Sequence, residues 1–323
     1  MDTKKCIEEI NEAIEATRFG ENPVELYEPI RYIMKLGGKR LRPLTALLAY
    51  SLFKDDYKTA LRPALGVEVF HNFTLVHDDI MDNAPLRRGK ATIHEKWDQN
   101  VAILSGDVMM IRVYNFFLET APDLMPRVIR SFNDMAVEVC EGQQKDMNFE
   151  SRDDVSAEEY IDMIRQKTAV LLGFCAELGA TLAYADEKDI QLLQEFGVKA
   201  GLGFQIKDDL LDVYGDATKF GKKVGGDIVE NKKTYLLIKA LETAQGEDAE
   251  ELRRWVSATE FDETEKVKAV TAIYDRLGVR EATEKLMNDY FAESLEAFDR
   301  ISVAKEKGAT FRAFAENLIN RDR

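Results

Sequence analysis

The chain has 323 residues, of which 45% are hydrophobic and 32% charged, a composition typical of a globular protein with a large core. Its 44 basic and 59 acidic residues give a net charge of −15, which argues against nucleic acid and anionic membranes as general partners because both attract basic surfaces. Three scattered cysteines without a CxxC pair predict neither disulfides nor a zinc site and favour the cytoplasm. The N-terminus is charged, unlike a signal peptide, and the longest apolar stretch, near 169–176, is too short for membrane insertion.

The spacing of apolar residues predicts an all-α protein. Val128, Phe132, Met135 and Val139 recur at three- and four-residue intervals, as on one face of a helix. No proline follows Pro126, and hairpin signals and alternating strand patterns are missing, so we expect long helices and no sheet. The predicted helices span 3–16, 24–36, 43–52, 58–82, 99–119, 123–148, 156–182, 187–215 and 231–244, followed by several amphipathic helices to 320.

No linker, low-complexity tract or repeat of fixed period interrupts the chain, which predicts a single domain over residues 1–323. The segment Asp216–Glu230 is rich in glycine and lysine, and we expect it to be an ordered loop. One short motif does recur, and it gives the first indication of function.

Two acidic clusters share the same spacing. They are DDIMD, with Asp78, Asp79 and Asp82, and DDLLD, with Asp208, Asp209 and Asp212. In each, the first and last aspartates are one helical turn apart, so their carboxylates project from the same face and destabilise the helix by roughly 0.2–0.5 kcal/mol per pair. Because apolar residues precede both clusters, a divalent cation site explains them better than a solvated acidic face.

The chemistry of these side chains predicts magnesium. Carboxylate oxygens without histidine or cysteine ligands favour Mg²⁺ over transition metals, and Mg²⁺ completes its shell with water and substrate phosphate oxygens. We therefore expect the six aspartates to hold a diphosphate between two helices through bridging metal ions. His71 lies about two turns before Asp78, and Gln205 lies three residues before Asp208, so both are in line with a cluster. A lone histidine on such a face is as often a core residue as a functional one.

Basic segments accompany the acidic clusters. The sequence GGKRLRP places Lys39, Arg40 and Arg42 between a glycine stop and a helix start, where backbone N–H groups also favour anions. Arg87 and Arg88 follow the first cluster. The lysine pairs Lys222-Lys223 and Lys232-Lys233 follow the second. Each pair alone is unremarkable, but the repeated order of acidic cluster and basic segment indicates a diphosphate site. From residue type alone, Lys167 and Thr168 are ordinary helix-start residues.

In order and spacing, GGKRLRP, His71, DDIMD, RRG, the Lys-Thr pair, FQIKDDLLD and GKKVGGDIVENKKT resemble the trans-isoprenyl diphosphate synthases of the polyprenyl synthetase family. The resemblance covers nearly the whole chain and is weakest after about residue 245. It implies an all-α isoprenoid synthase fold, a single large helical bundle around a central cavity, usually in a homodimer. It also implies three Mg²⁺ ions held by the two aspartate motifs and the allylic diphosphate.

The resemblance further implies a role for individual residues. It assigns isopentenyl diphosphate to Lys39, Arg42, His71 and Arg88. It assigns the metal ions to Asp78, Asp79, Asp82, Asp208, Asp209 and Asp212. It assigns the allylic substrate to Arg87, Lys167, Thr168 and Gln205, with Lys232 and a lysine of the Gly221 loop, Lys222 or Lys223, completing the clamp on the diphosphate.

Product length is expected to depend on α-helical residues before DDIMD. Phe73 lies five residues before Asp78, about 7–8 Å along the helix, and Phe70 lies one turn deeper. In the resembled family an aromatic residue at this position limits elongation of the product. The alternative interpretation is that Phe70 and Phe73 are ordinary core residues. Thr74 departs from the shortest-product animal and fungal type, which has an aromatic residue at this position. We expect a product of fifteen or twenty carbons, with twenty preferred.

Three other functions compete with this interpretation. A class I terpene cyclase shares the fold and one aspartate motif, but it does not need the second diphosphate site that GGKRLRP and RRG predict. A non-catalytic subunit of a heteromeric prenyl synthase typically lacks one aspartate motif, and both are intact here. A plain helical scaffold leaves the basic segments unexplained.

Overall fold

The structure is a computed structural model that describes residues 1–215 and 224–319. Most of these residues are helical, which confirms the predicted all-α class. The α-helices are α1 (Thr3–Ala16), α2 (Val24–Lys35), α3 (Leu41–Ser51), α4 (Leu61–Met81), α5 (Ile93–Lys96), α6 (Gln99–Phe117), α7 (Met125–Glu150), α8 (Ala157–Ile164), α9 (Val170–Leu182), α10 (Glu187–Tyr214), α11 (Gly226–Val229), α12 (Tyr235–Thr243), α13 (Gly246–Ser257), α14 (Glu263–Arg276), α15 (Val279–Asp299) and α16 (Lys305–Ile319). None of the helices described is both long and apolar enough to cross a bilayer.

The chain divides into two compact units. Unit 1 comprises Met1–Asn133, Phe174–Leu193 and Ser302–Phe311, and unit 2 comprises Asp134–Gly173, Gln194–Ile301 and Arg312–Arg323. The first acidic cluster belongs to unit 1 and the second to unit 2. The single domain expected over residues 1–323 stays a prediction.

Helix α4 lies in the core of unit 1, where it packs against α3 and α6. Its apolar residues surround the helix instead of forming one stripe, which is the pattern of a buried helix. Val67, Val69 and Phe70 are all nearly inaccessible to solvent. Gly66 permits the close approach of α6, because a Cβ atom there would lie 3.0 Å from the Cβ of Phe116. The first acidic cluster is thus carried by a rigid, buried helix.

A hairpin after α4 shows that the prediction of no sheet was wrong. The chain leaves α4 through Asn83, which has a φ of 48°. The strands β1 (Leu86–Arg87) and β2 (Lys90–Ala91) then pair in antiparallel register. The turn between them is formed by Arg88 and Gly89, with φ angles of 54° and 72°. Because an arginine occupies the first left-handed position, the turn lacks the Asn-Gly signal by which hairpins are usually recognised.

The helix predicted over 156–182 is divided into three parts. Ser156 caps α8 together with Glu159, and Arg165–Ala169 then form a π-helical turn before α9. The π-helical turn packs directly against Gly142 on α7. A side chain at this position would prevent the contact, because its Cβ atom would lie 2.2 Å from the backbone nitrogen of Lys167. Isolated π turns are rare in helices and are frequently found at functional sites.

Two predictions after the second acidic cluster also need correction. The helix predicted over 231–244 begins at Tyr235, because the side chain of Thr234 caps it. Within the predicted loop Asp216–Glu230, residues 216–223 lie outside the described residues and Gly226–Val229 form α11. The other predicted helices with stated bounds agree with the observed ones to within three residues at each end.

Candidate active site

The first acidic cluster stands at the C-terminal end of α4. Asp79 is buried, and its Oδ1 accepts hydrogen bonds from Nε and Nη2 of Arg87 at 2.9 and 2.5 Å. The same guanidinium lies 3.5 Å from Oδ2 of Asp78. Burial raises the pKa of Asp79, and the hydrogen bonds from Arg87 oppose that rise. Asp82 follows the last residue of the helix, where the helix dipole disfavours negative charge and a cation would be stabilised.

His71 lies on the same helix, α4, and is surrounded by arginines from other segments. Nη1 of Arg42 lies 3.1 Å from Nε2 of His71. Burial, followed by the positive charges of Arg42, Arg88, Arg87 and Arg40, holds the pKa of His71 well below its usual value. The imidazole is therefore neutral near pH 7. Since a guanidinium can only donate, Nε2 accepts from Arg42 and Nδ1 carries the proton.

Arg40 anchors the segment that carries Lys39 and Arg42. Its φ of 51° is left-handed, and its buried guanidinium donates to Oε1 of Glu68 at 2.5 Å, to the carbonyl of Met34 at 3.0 Å and to Oδ1 of Asn11 at 3.0 Å. These contacts satisfy a charge that would otherwise be costly to bury. The carboxylate of Glu68 was missed by the sequence analysis, although it lies one turn before His71 on an apolar helix.

The glycine pair before Arg40 brings the two basic segments of unit 1 into contact. The guanidinium of Arg88 donates to the carbonyl of Gly37. A Cβ atom on Gly38 would lie 3.0 Å from Nη2 of Arg88, and Gly38 has a φ of 142°. Only glycine fits this approach without strain. The structure thus brings Arg42, His71 and Arg88 together, and their assignment to one substrate stays a prediction.

The second acidic cluster lies near the end of α10 and has different partners. Asp209 is buried, with Oδ2 accepting a hydrogen bond from the hydroxyl of Tyr160 and Oδ1 accepting one from Nε2 of Gln205 at 3.3 Å. Burial raises the pKa of Asp209 to about 8, while the hydrogen bond from Tyr160 and the charge of Lys232 lower it. The predicted residues Gln205 and Lys232 therefore both act on Asp209. Tyr160 was missed because it lies far away in sequence.

Asp212 connects the second cluster to the segment that follows it. Its Oδ2 accepts a hydrogen bond from the backbone N–H of Asp227 at 2.9 Å, and its carbonyl accepts one from Gly225 at 2.7 Å. The backbone N–H of Lys232 in turn donates to the carbonyl of Asp227 at 2.9 Å. Asp212 thereby fixes the start of α11 and, through it, the position of Lys232.

A buried lysine supports the same segment from α14. Nζ of Lys266 donates to Oδ1 of Asn231 at 2.8 Å and to the carbonyl of Val229 at 3.2 Å, and it lies 4.1 Å from the ring centre of Phe261. Burial lowers the pKa of Lys266. Asn231 has a φ of 53°, so the chain turns sharply just before Lys232. Lys266 was missed because α14 lies beyond the recognisable motifs.

Lys167 and Thr168 lie on the π-helical turn, so they are not helix-start residues. Nζ of Lys167 donates to Oδ2 of Asp146 at 2.6 Å, and the Thr168 hydroxyl lies 3.5 Å from Oε1 of Gln205. The second contact places the Lys-Thr pair beside the helix that carries the second cluster. The functional interpretation of this pair, which rests on the family resemblance, stays a prediction.

An aromatic cluster lies below the first acidic cluster on α4. Phe73 lies 5.7 Å from Phe70, and Phe70 lies 5.1 Å from Phe132, measured between ring centres. Phe132 in turn contacts Phe117 and Phe174 at 5.0 and 5.9 Å. Thr74 uses its hydroxyl to donate to the carbonyl of His71. The predicted residues Phe70 and Phe73 therefore belong to a larger set of rings in unit 1.

The predicted site residues fall into three groups. Unit 1 holds Lys39, Arg42, Phe70, His71, Phe73, Thr74, Asp78, Asp79, Asp82, Arg87 and Arg88. Unit 2 holds Lys167, Thr168, Gln205, Asp208, Asp209, Asp212 and Lys232. Lys222 and Lys223 lie outside the described residues.

The chemistry of the two acidic clusters fits a magnesium site. Within residues 1–215 and 224–319, no three acidic, histidine or cysteine side chains converge as a ready-made metal centre. Mg²⁺ does not require one, because it commonly takes one or two carboxylates and completes its shell with water and substrate phosphate. Asp79 and Asp209 are buried carboxylates, and a bound cation would stabilise each of them in its ionised form.

Comparison with known proteins identifies the family. The family model described as "Polyprenyl synthetase" matches residues 23–274. The chain belongs to the polyprenyl synthetase family. This confirms the resemblance read from the motifs, and with it the prenyltransferase class.

Relatives with curated names and solved structures agree with this assignment. The chain is 43% identical over 235 residues to a geranylgeranyl pyrophosphate synthase from Geoglobus acetivorans, covering 72% of this chain and 73% of the relative. A crystal structure of a geranylgeranyl pyrophosphate synthase superimposes with a TM-score of 0.94 at 42% identity, covering 99% of both chains. A geranylgeranyl pyrophosphate synthase from Corynebacterium glutamicum, complexed with isoprenyl diphosphate and magnesium, has a TM-score of 0.84 at 27% identity and covers 99% of this chain and 97% of that one.

Proposed function

We propose that this prenyltransferase condenses isopentenyl diphosphate with an allylic diphosphate, which can be dimethylallyl, geranyl or farnesyl diphosphate. The product is a prenyl diphosphate of fifteen or twenty carbons, with twenty preferred. The observation that carries the proposal is the concentration of four arginines around a neutral His71, which lies about two turns before the first acidic cluster on α4. These arginines are Arg40, Arg42, Arg87 and Arg88. In a chain of net charge −15, this arrangement favours a multiply charged anion.

Isopentenyl diphosphate is assigned to the basic group of unit 1. Arg42 and Arg88 supply planar donor forks, which suit phosphate oxygens, and Lys39 adds a point charge. Because His71 is neutral, it adds no further repulsion among the arginines, and its acceptor nitrogen orients Arg42. The buried pair of Arg40 and Glu68 holds the segment in place before substrate arrives.

The allylic diphosphate is assigned to residues next to the acidic clusters. These residues are Arg87, Lys167, Thr168, Gln205, Lys232 and, on the segment outside the described residues, Lys222 or Lys223. Asp78, Asp79, Asp82, Asp208, Asp209 and Asp212 would hold three Mg²⁺ ions together with that diphosphate. When bound, these ions neutralise the negative charge that develops on the departing diphosphate.

The chain's own cations act on the same charge. The carbon–oxygen bond of the allylic substrate breaks, and the double bond of isopentenyl diphosphate attacks the resulting allylic cation. Arg87 is held by Asp79 and Lys232 by the Asp212–Asp227 connection, so both donors are preorganised where charge develops. Holding both substrates in position can supply roughly 7–11 kcal/mol of the barrier. The released diphosphate is the base that we assign to the final proton loss.

Product length is assigned to the aromatic cluster on α4. Phe73 and Phe70 follow the direction from Asp78 back along the helix, and Phe132 stands behind Phe70. A growing hydrocarbon chain that enters along α4 meets these rings. The hydroxyl of Thr74 is turned back to the helix backbone, so this residue adds no aromatic barrier.

A homodimer in the cytoplasm is the setting that we propose for this reaction. Leu104, Ile111 and Leu118 recur every seven residues on α6 or directly after it, and all three are exposed. A second copy of the chain could bury this apolar stripe, as interfaces between identical chains do. Sedimentation analysis of the purified protein tests the dimer, and a monomer at micromolar concentration contradicts it.

A direct assay tests the proposed reaction. The purified chain is incubated with Mg²⁺, labelled isopentenyl diphosphate and an allylic primer of five, ten or fifteen carbons, and the products are sized by chromatography. We expect elongation to a twenty-carbon diphosphate that stops when EDTA is added. A cyclised hydrocarbon would indicate a terpene cyclase, and no turnover with any primer would indicate a non-catalytic subunit.

A further inference from the structure

Unit 1 contains a second cationic recess at the opposite end of α4 from the aspartates. It is enclosed by Ala16–Phe19 at the end of α1, Arg62 near the start of α4, and Arg112, Asn115 and Phe116 on α6. Its volume is about 310 Å³, at the lower end of the range for small-molecule sites. Arg62 precedes Asp79 by 17 residues, which is about 25 Å along the helix. The recess is therefore separate from the residues assigned to prenyl transfer.

Arg62 forms a fixed wall of this recess. Its Nε and Nη2 donate to Glu119 at distances between 2.9 and 3.1 Å, and Nη1 lies 3.4 Å from the hydroxyl of Thr17. The guanidinium also lies 4.6 Å from the ring centre of the buried Phe116. The arginine is thus held by three different groups, so little of its side-chain entropy remains to be lost when a ligand binds.

Arg18 and Arg112 differ from the arginines of this chain that pair with an acidic side chain. Arg127, Arg276 and Arg312, for example, each pair with a carboxylate. Within the described ranges 1–215 and 224–319, Arg18 and Arg112 form no ion pair with an acidic side chain. Both line the same recess as Arg62, whose guanidinium pairs with Glu119, so the lining of the recess contains three arginines and no acidic residue.

We propose that this recess, lined by Arg18, Arg62 and Arg112, binds an anion bearing a phosphate or diphosphate group. The guanidinium forks of Arg18 and Arg112 match phosphate oxygens. Phe19 and Phe116 form the apolar part of the lining, which can pack against an organic substituent on the phosphate. The ligand can therefore be free inorganic diphosphate or a diphosphate ester.

Equilibrium dialysis with radiolabelled diphosphate in EDTA tests the proposal on the full-length chain. The R18Q/R112Q double variant is compared with the wild type and with R253Q, which changes an exposed arginine in unit 2. We expect the double variant to lose one bound diphosphate per chain, or to bind it at least about tenfold more weakly, while R253Q binds as the wild type does. Binding at the recess should also weaken as salt is raised.

A second arm identifies the source of the phosphate group. Unlabelled inorganic diphosphate and geranyl diphosphate compete for the site that R18Q/R112Q removes. Equal competition supports a free anion, and stronger competition by the geranyl ester supports a ligand whose substituent contacts Phe19 and Phe116. Circular dichroism checks that the double variant folds. If it does not fold, the R18K/R112K variant, which retains both charges but lacks the guanidinium forks, is compared with the wild type instead. Equal stoichiometry and affinity in wild type and a folded R18Q/R112Q variant overturn the proposal.

Discussion

The two acidic clusters have the same sequence pattern but lie in different electrostatic surroundings. In the first, the middle aspartate, Asp79, pairs with the Arg87 guanidinium. In the second, the middle aspartate, Asp209, has the neutral side chains of Tyr160 and Gln205 as its hydrogen-bond partners. Burial raises the pKa of both carboxylates, that of Asp209 to about 8. The comparison shows that a repeated motif does not imply a repeated set of partners, because residues distant in sequence determine the partners of each carboxylate.

The largest expected effect comes from removing the first aspartate of either cluster. Asp78→Ala and Asp208→Ala should each lower kcat by about 10²–10³-fold, because each removes negative charge from a proposed cation site. The helical circular dichroism should stay unchanged. Asp289→Ala, which removes an exposed carboxylate on α15, is the control and should retain full activity. Loss of helicity in the two cluster variants would instead indicate that the clusters are structural.

The partners of the middle aspartates provide the second test. Arg87→Gln removes a charge next to Asp79 and should lower kcat by about 10²-fold. Tyr160→Phe removes a neutral hydrogen bond to Asp209 and should lower activity by about tenfold, mainly by raising the Mg²⁺ concentration needed for half-maximal rate. Steady-state kinetics at varied Mg²⁺ distinguish the two effects. Equal losses with unchanged Mg²⁺ dependence would contradict the difference between the clusters.

A third test asks whether product length depends on the first cluster's helix alone. Phe73→Ala should lengthen the product by at least one five-carbon unit, because it removes a ring from the aromatic cluster below Asp78. Phe204→Ala, on the helix of the second cluster, is the matched aromatic control and should leave the product unchanged. Chromatography of the products after dephosphorylation measures both. If the product of Phe73→Ala has the same chain length as that of the wild type, the Phe73 ring serves only in core packing.

Lys266 provides a test specific to the second cluster. Lys266→Met keeps the apolar stem but leaves Asn231 without its buried donor, so the free energy of unfolding should fall by about 1–3 kcal/mol. The KM for the allylic substrate should rise because the position of Lys232 depends on this segment. Lys268→Met, two residues later and exposed, is the control. Denaturant unfolding and kinetics together separate the effects, and a loss of stability without a change in KM would limit Lys266 to a structural role.

The smallest effect concerns His71. Because the pKa of His71 is well below its usual value in the folded chain, the unfolded chain binds more protons below about pH 6.5. The stability conferred by the neutral imidazole is therefore present at pH 7 and is lost as the pH falls through about 6.5. His71→Gln should flatten this part of the curve by at most about 1.4 kcal/mol per pH unit. Urea unfolding between pH 5 and 8 measures the slopes.

The sequence predicted the helical segments because they depend on local patterns, and the candidate site residues were selected in the same way. The spacing of apolar residues is sufficient for helices such as Thr3–Ala16, whose bounds were predicted without error. The aspartates and arginines were recognised because their types and spacings match the chemistry of a diphosphate. Arg88 at a left-handed turn position and the π-helical turn at Lys167 were not predicted, because tertiary contacts with Gly38 and Gly142 stabilise these conformations.

Residues that act through another residue were missed for a related reason. Glu68, Tyr160 and Lys266 belong to no motif, and each is recognised only from the side chain or backbone that it contacts. The division into two compact units also has no signal in the sequence, since neither a linker nor a change in composition marks it. Sequence patterns do not show which partners a residue contacts once the chain has folded.

The close approach at Gly142 restricts how this protein can change. A methyl group at that position would occupy the space of the Lys167 backbone, so even alanine, the best helix former, is unfavourable there. Stabilisation by replacing helical glycines with alanine, a common engineering strategy, should therefore avoid this residue. Mutational libraries of the chain are expected to retain glycine at this position wherever activity is retained, although no predicted catalytic group is attached to it.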